Sequence, residues 1–428
     1  MTSIIIGLLL LITLAYLGWS IIWIAPLISG LVALMSGMDV LPTYRDTYMT
    51  GFVDFAQEWF PVFLLGAIFG KLMEDTGAAQ SVAFSITRVI GKTRAILGVL
   101  IAAAVLTYGG VSLFVVVFAI YPLAVALFKE ANISRKLLPG TFALGAFTFT
   151  MTAIPGTPQI QNLIPMVYYN TTPMAAPFMG IVAALIMAVG GYFYLKWREN
   201  RLTKKDERFT EPDEEHAVEG VDEDDLPNVW LSILPLVLVV ITLNVFDWPI
   251  IPALIAGSLL LMAFNIKRYK EFSSSINDGA AGSVMAVINT SAAVGFGAVV
   301  TATPGFDDMS AMLLNIPGHP LISQGVSIQV LAAITGSAGG GLGIGLEAMG
   351  EQYYQIAQDQ GINPEAFHRV AAVASGASIL PHNGALLTLF AVTGLGHKDS
   401  YGDIAAVGLI IPTLAVAAII VMAAIGII

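Results

Sequence analysis

The sequence predicts an all-α polytopic membrane protein built from two inverted repeats, each with about five transmembrane helices, one of them broken, plus a re-entrant helical hairpin. Three observations predict it. Of 428 residues, 56% are hydrophobic and only 11% charged, with a mean hydropathy of +0.80. A soluble surface takes about 25% charged residues, so a soluble fold is excluded. Twelve of the 30 acids fall between Glu199 and Asp225, which leaves the flanking stretches nearly uncharged. Landmark Gly, Thr and Pro residues also recur at a shift of 226–229 positions. Nineteen Lys and Arg in a chain of net charge −11 form no basic stripe, so nucleic acid is not a partner. With no cysteine, disulfides, thiolate chemistry and Cys-based metal sites are excluded.

A hydrocarbon core of ~30 Å takes about 20 apolar residues per helix. Such stretches lie near Ser3–Leu17, Ser20–Met38, Phe60–Leu72, Leu137–Val167 and Ala175–Leu195, then near Val229–Phe246, Pro249–Phe264, Ser283–Ala302, Phe367–Leu395 and Ala405–Ile427. The first has no basic flank and no small-residue cleavage site, and reads as a retained span rather than a signal peptide. Trp197 to Pro227, basic and then acidic, is too polar to bury a core and reads as a solvated linker. The chain thus divides into a first repeat (1–198), an acidic cytoplasmic linker (199–227) and a second, inverted repeat (228–428).

Two stretches fit no simple span. Ala95–Phe128 carries Tyr-Gly-Gly at its centre and Val326–Ala357 carries Gly-Ser-Ala-Gly-Gly-Gly-Leu-Gly. Each reads as a re-entrant hairpin or as two short crossings, and both return the chain to its starting side. Irregular backbone at depth is tolerated where protein buries it or a wet cavity receives it. Either way, 17 of the 19 Lys and Arg fall on one side, with Arg45 and Arg369 on the other. The positive-inside rule makes the first side cytoplasmic and puts both termini outside.

In the recurrence, Gly66 matches Gly295, Thr107 matches Thr335, Ile133 matches Ile362, and Pro155 matches Pro381. In each half a Gly-rich hairpin precedes a helix broken by a Gly/Pro motif: Ala-Ile-Pro-Gly-Thr-Pro-Gln at 153–159, and Ser-Gly-Ala-Ser-Ile-Leu-Pro-His-Asn-Gly at 375–384. An odd number of crossings per repeat inverts the second copy. Inverted repeats with paired broken helices are the pattern of secondary transporters, and the breaks point to the binding site.

The segment Gly66-Ala-Ile-Phe-Gly-Lys-Leu-Met-Glu-Asp-Thr-Gly-Ala-Ala-Gln80 resembles that of the gluconate permease (GntP) family of the ion-transporter superfamily, as do Pro155-Gly-Thr-Pro158 and Ser375-Gly-Ala-Ser378 with His382-Asn383. The resemblance spans nearly the whole chain. It implies a dimeric, hairpin-bearing fold in the bacterial cytoplasmic (inner) membrane and proton-coupled uptake of sugar acids or other small hydroxycarboxylates. Gluconate-type members carry an acid at the first tip, where this chain has Thr107-Tyr-Gly-Gly110, and Asp after the His-x-Asn stretch, where it has Gly384-Ala385. Both departures remove polarity. The tip and the run from Pro155 to Asn162 look more like the hydroxybutyrate-permease branch.

The candidate substrate-binding residues are Thr107, Gly109, Gly110, Ser112, Gly156, Thr157, Gln159 and Asn162 in repeat one, with Thr335, Gly336, Ser337, Ser378, His382 and Asn383 in repeat two. Polar groups at membrane depth collect at interiors and sites. Half-helix N-termini aim N–H groups at an anion, so the carboxylate is expected against the N–H groups near Gly156–Gln159 and against Ser378 or His382. For the hydroxyls the structural alternative is back-bonding within their own helix; for the glycines it is close helix packing. His382, inside an apolar segment, is the proton-coupling candidate, with a structural hydrogen bond as its alternative. His216, His319, His368 and His397 fall in or beside loops, where a solvated role is expected. Lys71, Glu74 and Asp75 read as a mutually paired cytoplasmic helix end.

No cofactor or metal is expected. The run from Gly336 to Gly345 lacks the Lys-Ser/Thr of a P-loop. A membrane-embedded enzyme would need a nucleophile–base pair or a ligand cluster that the sequence does not carry, and a channel would show selectivity rings rather than inverted halves. The expected partners are a small carboxylate, a coupling proton with sodium open, membrane lipid and a second copy of the chain. Single cysteines introduced at positions 215 and 270 should react with an impermeant maleimide only from the cytoplasmic side, and one at 317 only from outside. Labelling of position 215 from outside would reverse the orientation.

Overall fold

A computed structural model describes residues 2–17, 19–91, 94–111, 113–213, 226–306, 308, 311–312, 316–381 and 383–428. The regular structure among them is entirely helical, as a lipid solvent demands of a chain that closes no β-barrel. The first half runs α1 (Thr2–Tyr16), α2 (Ile21–Met35), α3 (Val40–Asp75), α4 (Ala78–Ile90), α5 (Ala95–Tyr108), α6 (Leu113–Glu130), α7 (Leu138–Ala146), α8 (Phe149–Thr152), α9 (Ile160–Tyr169) and α10 (Pro177–Lys204). The second runs α11 (Val229–Asn244), α12 (Ile250–Phe264), α13 (Ile266–Ala302), α14 (Pro320–Thr335), α15 (Ala338–Gln360), α16 (Pro364–Ser375), α17 (Gly384–Thr393) and α18 (His397–Ala424). Leaving aside α4 and the single turn α8, two helices, a long helix, a helix–turn–helix, two half-helices and a last long helix occur in the same order twice among the described residues.

Four of these helices, α3, α10, α13 and α18, are long and apolar enough to cross a membrane. The span expected at Phe60–Leu72 is the end of a much longer helix. At 1.5 Å per residue the 36 residues of α3 reach about 54 Å, well beyond a ~30 Å core. Its first half escaped the hydropathy reading because Arg45, Asp46, Asp54 and Glu58 interrupt the apolar run, and these side chains are exposed. The same holds for α13, expected from Ser283 and present from Ile266.

Glycines let the long helices touch. A Cβ built on Gly279 of α13 would stand 2.7 Å from Ile68 Cα of α3, and one on Gly51 of α3 would stand 2.6 Å from Ala298 Cβ of α13. Residue 51 meets 298 while 68 meets 279, so the two run antiparallel. The last long helices do likewise: Gly190 of α10 lies beside Ile411 of α18, and Arg198 pairs with Asp403 at 2.5 Å. Other contacts are exchanged between the halves. Helix α2 packs on α13 and α12 on α3, while α9 packs on α15 and α17 on α6.

On the side expected to be cytoplasmic, Lys71 pairs with Asp75 at 2.8 Å and Glu74 at 3.5 Å, as the sequence suggested. The linker begins later than position 199, because α10 continues to Lys204. Its start is tied down rather than free. Lys136 pairs with Glu207 at 2.7 Å, Lys129 with Glu211 at 2.5 Å, and Arg135 donates to Glu211 O at 3.3 Å. The Lys136 hydrogen bond holds the Glu207 carboxyl below the usual carboxylate range, so this tie is present at neutral pH and is lost as the pH falls through that lowered value. Residues 214–225 lie outside the described residues.

Gly279→Val should force the α3–α13 crossing apart, because its neighbour is backbone that cannot rotate away. Overpacking of this kind costs about 1–3 kcal/mol. A lowered Tm of the detergent-purified protein is expected, whereas Gly282→Val, which meets open space, should leave Tm within about 1 °C.

Candidate functional site

The breaks expected at 153–159 and 375–384 are present, and each is joined to the turn of its own half's helix–turn–helix. In the first half, α5 ends on Gly109, packed against Leu236, and Gly110 takes φ +94°, a conformation only glycine adopts without strain. Gly110 lies against Pro158. The Tyr108 hydroxyl donates to Pro155 O at 3.1 Å, and Gln159 Nε2 donates to Thr107 O at 2.8 Å. Gln159 is also the residue that opens α9. Turn and break form one piece.

The second half repeats the arrangement. Gly336 closes α14 in the left-handed region at φ +59°, and its carbonyl accepts from Asn383 Nδ2 at 2.8 Å. Asn383 opens α17 as Gln159 opens α9, and its Oδ1 caps that helix by accepting from Leu386 N–H at 2.9 Å. Its Nδ2 also reaches Ser378 O at 3.1 Å. Ser337 caps α15 through Gly340 N–H at 3.1 Å. In both halves a side-chain amide at the head of the second half-helix thus holds the last carbonyls of the turn.

The halves meet at these points. A Cβ on Gly339 of α15 would come within 2.9 Å of Ile160 at the head of α9, and one on Gly376 within 3.5 Å of Thr152. Asn162 is fully buried: its Nδ2 donates to Thr157 O and Pro173 O, while its Oδ1 accepts from Arg369 Nη1 at 2.9 Å and from His368 Nε2 at 3.2 Å. The other imidazole nitrogen meets the Thr171 hydroxyl at 2.6 Å. His368 was expected in a solvated loop; it has 0% exposure, inside α16. Neither it nor Arg369 is among the candidate site residues read from the sequence, although an Arg within Ala-Phe-His-Arg-Val-Ala-Ala-Val-Ala was the available signal.

Several candidate groups have internal partners. The Gly156 N–H donates to Pro173 O and the Thr157 N–H to Ile154 O, so both N–H groups have acceptors within the chain. The further N–H groups at this break are those of Gln159, Ile160 and Gln161, the last two in the first turn of α9, where no acceptor lies within the helix. The Thr335 hydroxyl donates to Leu331 O within its own helix, the structural alternative, whereas the Thr157 hydroxyl reaches across the break to Thr150 O. Conversely, Thr107 Oγ1 and Gln161 Oε1 are buried without a hydrogen-bond partner, which makes them available to a bound molecule. Ser112 and His382 lie outside the described residues. Among the described residues no group of three metal-ligating side chains occurs.

Asn383→Ala should lower stability by about 1 kcal/mol through the lost cap and should speed amide exchange at the second turn. Gln159→Ala, which removes no cap bond, should leave Tm nearly unchanged and speed exchange at Thr107–Val111 alone. Unchanged exchange in both variants would show that the amides do not hold the turns.

Residues 1–248 match the model of the GntP family permease. An uncharacterized transporter, YxjC, of Bacillus subtilis (strain 168) is 42% identical over 95% of both chains. The D-serine transporter DsdX of Escherichia coli O6:H1 is 23% identical over 64% of this chain and 65% of its own. An uncharacterized permease of Haemophilus influenzae is 28% identical over about half of this chain. With a family model matching more than half its length and a transporter relative matching nearly all of it, the chain belongs to the GntP permease family and is a membrane transporter.

Proposed function

We propose that the chain is a secondary active symporter of the bacterial inner membrane that takes up a small hydroxycarboxylate monoanion with a proton. The observation that carries this reading is the doubled turn-and-break unit, with Gln159–Thr107 in one half answered by Asn383–Gly336 in the other. In the proposed site two helix heads, α9 and α17, supply N–H groups to the anion, one from each half. Each favours an anion by ~0.3–1 kcal/mol at exposed sites and up to ~2 when partly buried. The unpartnered Thr107 hydroxyl and Gln161 carbonyl suit a substrate that carries a hydroxyl beside its carboxylate. 3-Hydroxybutyrate has both groups as a monoanion, and D-serine, the substrate named for one relative, has both as a zwitterion of no net charge. Thr335, Ser337, Ser378 and His382 complete the proposed lining from the second half.

The proposed architecture is two inverted repeats, 1–198 and 228–428, with each helix–turn–helix acting as a re-entrant hairpin and both termini outside. The antiparallel crossings of α3 with α13 and α10 with α18 support inversion, because equivalent helices related by an axis along the membrane normal would run parallel. A second copy of the chain and lipid are the proposed neighbours. Sodium is the second reading for the coupling ion, favoured by the unpartnered Thr107 hydroxyl, an oxygen of the kind that coordinates it.

A monoanion entering with one proton is electroneutral, so one pH unit supplies ~1.4 kcal/mol, a tenfold accumulation. Uptake of 3-hydroxybutyrate and D-serine into proteoliposomes, with sodium replaced by choline and an imposed pH gradient, tests the reading. Accumulation driven by the gradient is expected. Sodium-dependent uptake indifferent to pH would overturn proton coupling, and preference for a cation or a neutral sugar would overturn the carboxylate reading. His382→Gln separates a carried proton from one that enters on the substrate.

A further inference from the structure

Arg369 is fully buried, and its guanidinium has five N–H groups, all of which are taken. Nε donates to Ala175 O at 3.0 Å, Nη2 to Ala175 O at 2.5 Å and Pro173 O at 3.4 Å, and Nη1 to Ala153 O at 3.3 Å and Asn162 Oδ1 at 2.9 Å. Every acceptor is a neutral oxygen. The side chain therefore has no donor left for a ligand, and its charge is not cancelled by the groups that bind it. Glu365, one turn earlier on α16, acts on this charge from a distance while its Oε2 accepts from Ala176 N–H at 2.8 Å; a buried cation bound by neutral oxygens and offset only from a distance is costly.

The position of the charge indicates the use. Ala153 O closes the first half-helix of the break, and Asn162 stands in the first turn of α9. Three carbonyls and an amide oxygen converging on one point make the donor set of a cation site. Here the chain fills that site with its own cation. The negative face of the break is thereby neutralised, and the remaining field at the head of α9 is that of its N–H groups plus a guanidinium one side chain away. Gly180 of α10 keeps the space open, since a Cβ there would stand 2.6 Å from Ala153 O and 3.1 Å from Arg369 Nε. The second break has no equivalent: a shift of 226 places Ala143 opposite Arg369.

We propose that Arg369, held by Asn162, is a positioning residue that makes the first break selective for anions without touching the substrate. The inference rests on the carboxylate reading given above and assigns it a source of specificity. A residue that merely bolted helices together would affect charged and neutral ligands alike, whereas an electrostatic role separates them.

The test compares binding of 3-hydroxybutyrate with its neutral amide, and of lactate with lactamide, by ligand-induced thermal shift and by competition for uptake in proteoliposomes. Wild type should prefer each anion. Arg369→Gln should cut the anion-to-amide preference at least tenfold, while Arg369→Lys keeps it within about threefold even if Tm falls. If Arg369→Gln does not fold, Asn162→Asp supplies the second variant, placing a carboxylate on the guanidinium and cancelling its charge; the preference should collapse there too. A preference that survives both neutralising variants overturns the role of Arg369 and leaves the carboxylate reading standing. A wild type that prefers the amides overturns the carboxylate reading itself, and this inference with it.

Discussion

Backbone N–H and carbonyl groups inside a membrane protein have no water to fall back on, and each one left unpaired costs several kcal/mol. A broken helix creates such groups in quantity. The structure meets the cost with side chains placed at the breaks: Gln159 on Thr107 O, Asn383 on Gly336 O and Ser378 O, and Arg369 on Ala153, Pro173 and Ala175. The breaks themselves are set by Gly and Pro, and these side chains satisfy carbonyls that the breaks leave inside the bundle. Helix heads therefore persist in the interior of the bundle, where the proposed anion would find donors already oriented.

The rest of the fold holds those heads in place. Antiparallel contact between α3 and α13, made close by Gly51, Gly279 and Gly295, supplies a spine to which both halves contribute equivalently. Without an apolar driving force between helices in lipid, such contact depends on packing, and small residues allow the most of it. Around the spine the halves exchange partners, α9 on α15 and α17 on α6, so each broken helix is supported by the opposite half. The proposed repeat is incomplete where it bears on charge. Arg369 and His368 serve the first break, and the corresponding positions of the first half are Ala143 and Phe142.

Much of this was legible beforehand. Low charge, high hydropathy and a recurring Gly/Pro landmark were enough for a membrane helical bundle, for both turns, and for breaks at 153–159 and 375–384, because these depend on local rules: apolar length, glycine's access to positive φ, and proline's missing N–H. The family was legible too, from Gly66–Gln80 and the two break motifs. The length of α3 was not, since polar side chains on one face of a helix lower a hydropathy sum without interrupting the helix.

The sequence by itself determined the helical membrane class, both turns and the positions of the two breaks, but not helix α4 (Ala78–Ile90), which the spans read from it omit. Tertiary structure alone decided which polar groups are spent internally and which are left over. Nothing local says that the Gly156 N–H bonds Pro173 O, that the Thr107 hydroxyl has no partner, or that His368 and Arg369 close on Asn162 across more than two hundred residues. A hydrogen bond between distant residues depends on how the two halves pack. Packing is a property of surfaces brought together in space, and a pattern read along one strand of sequence does not contain it.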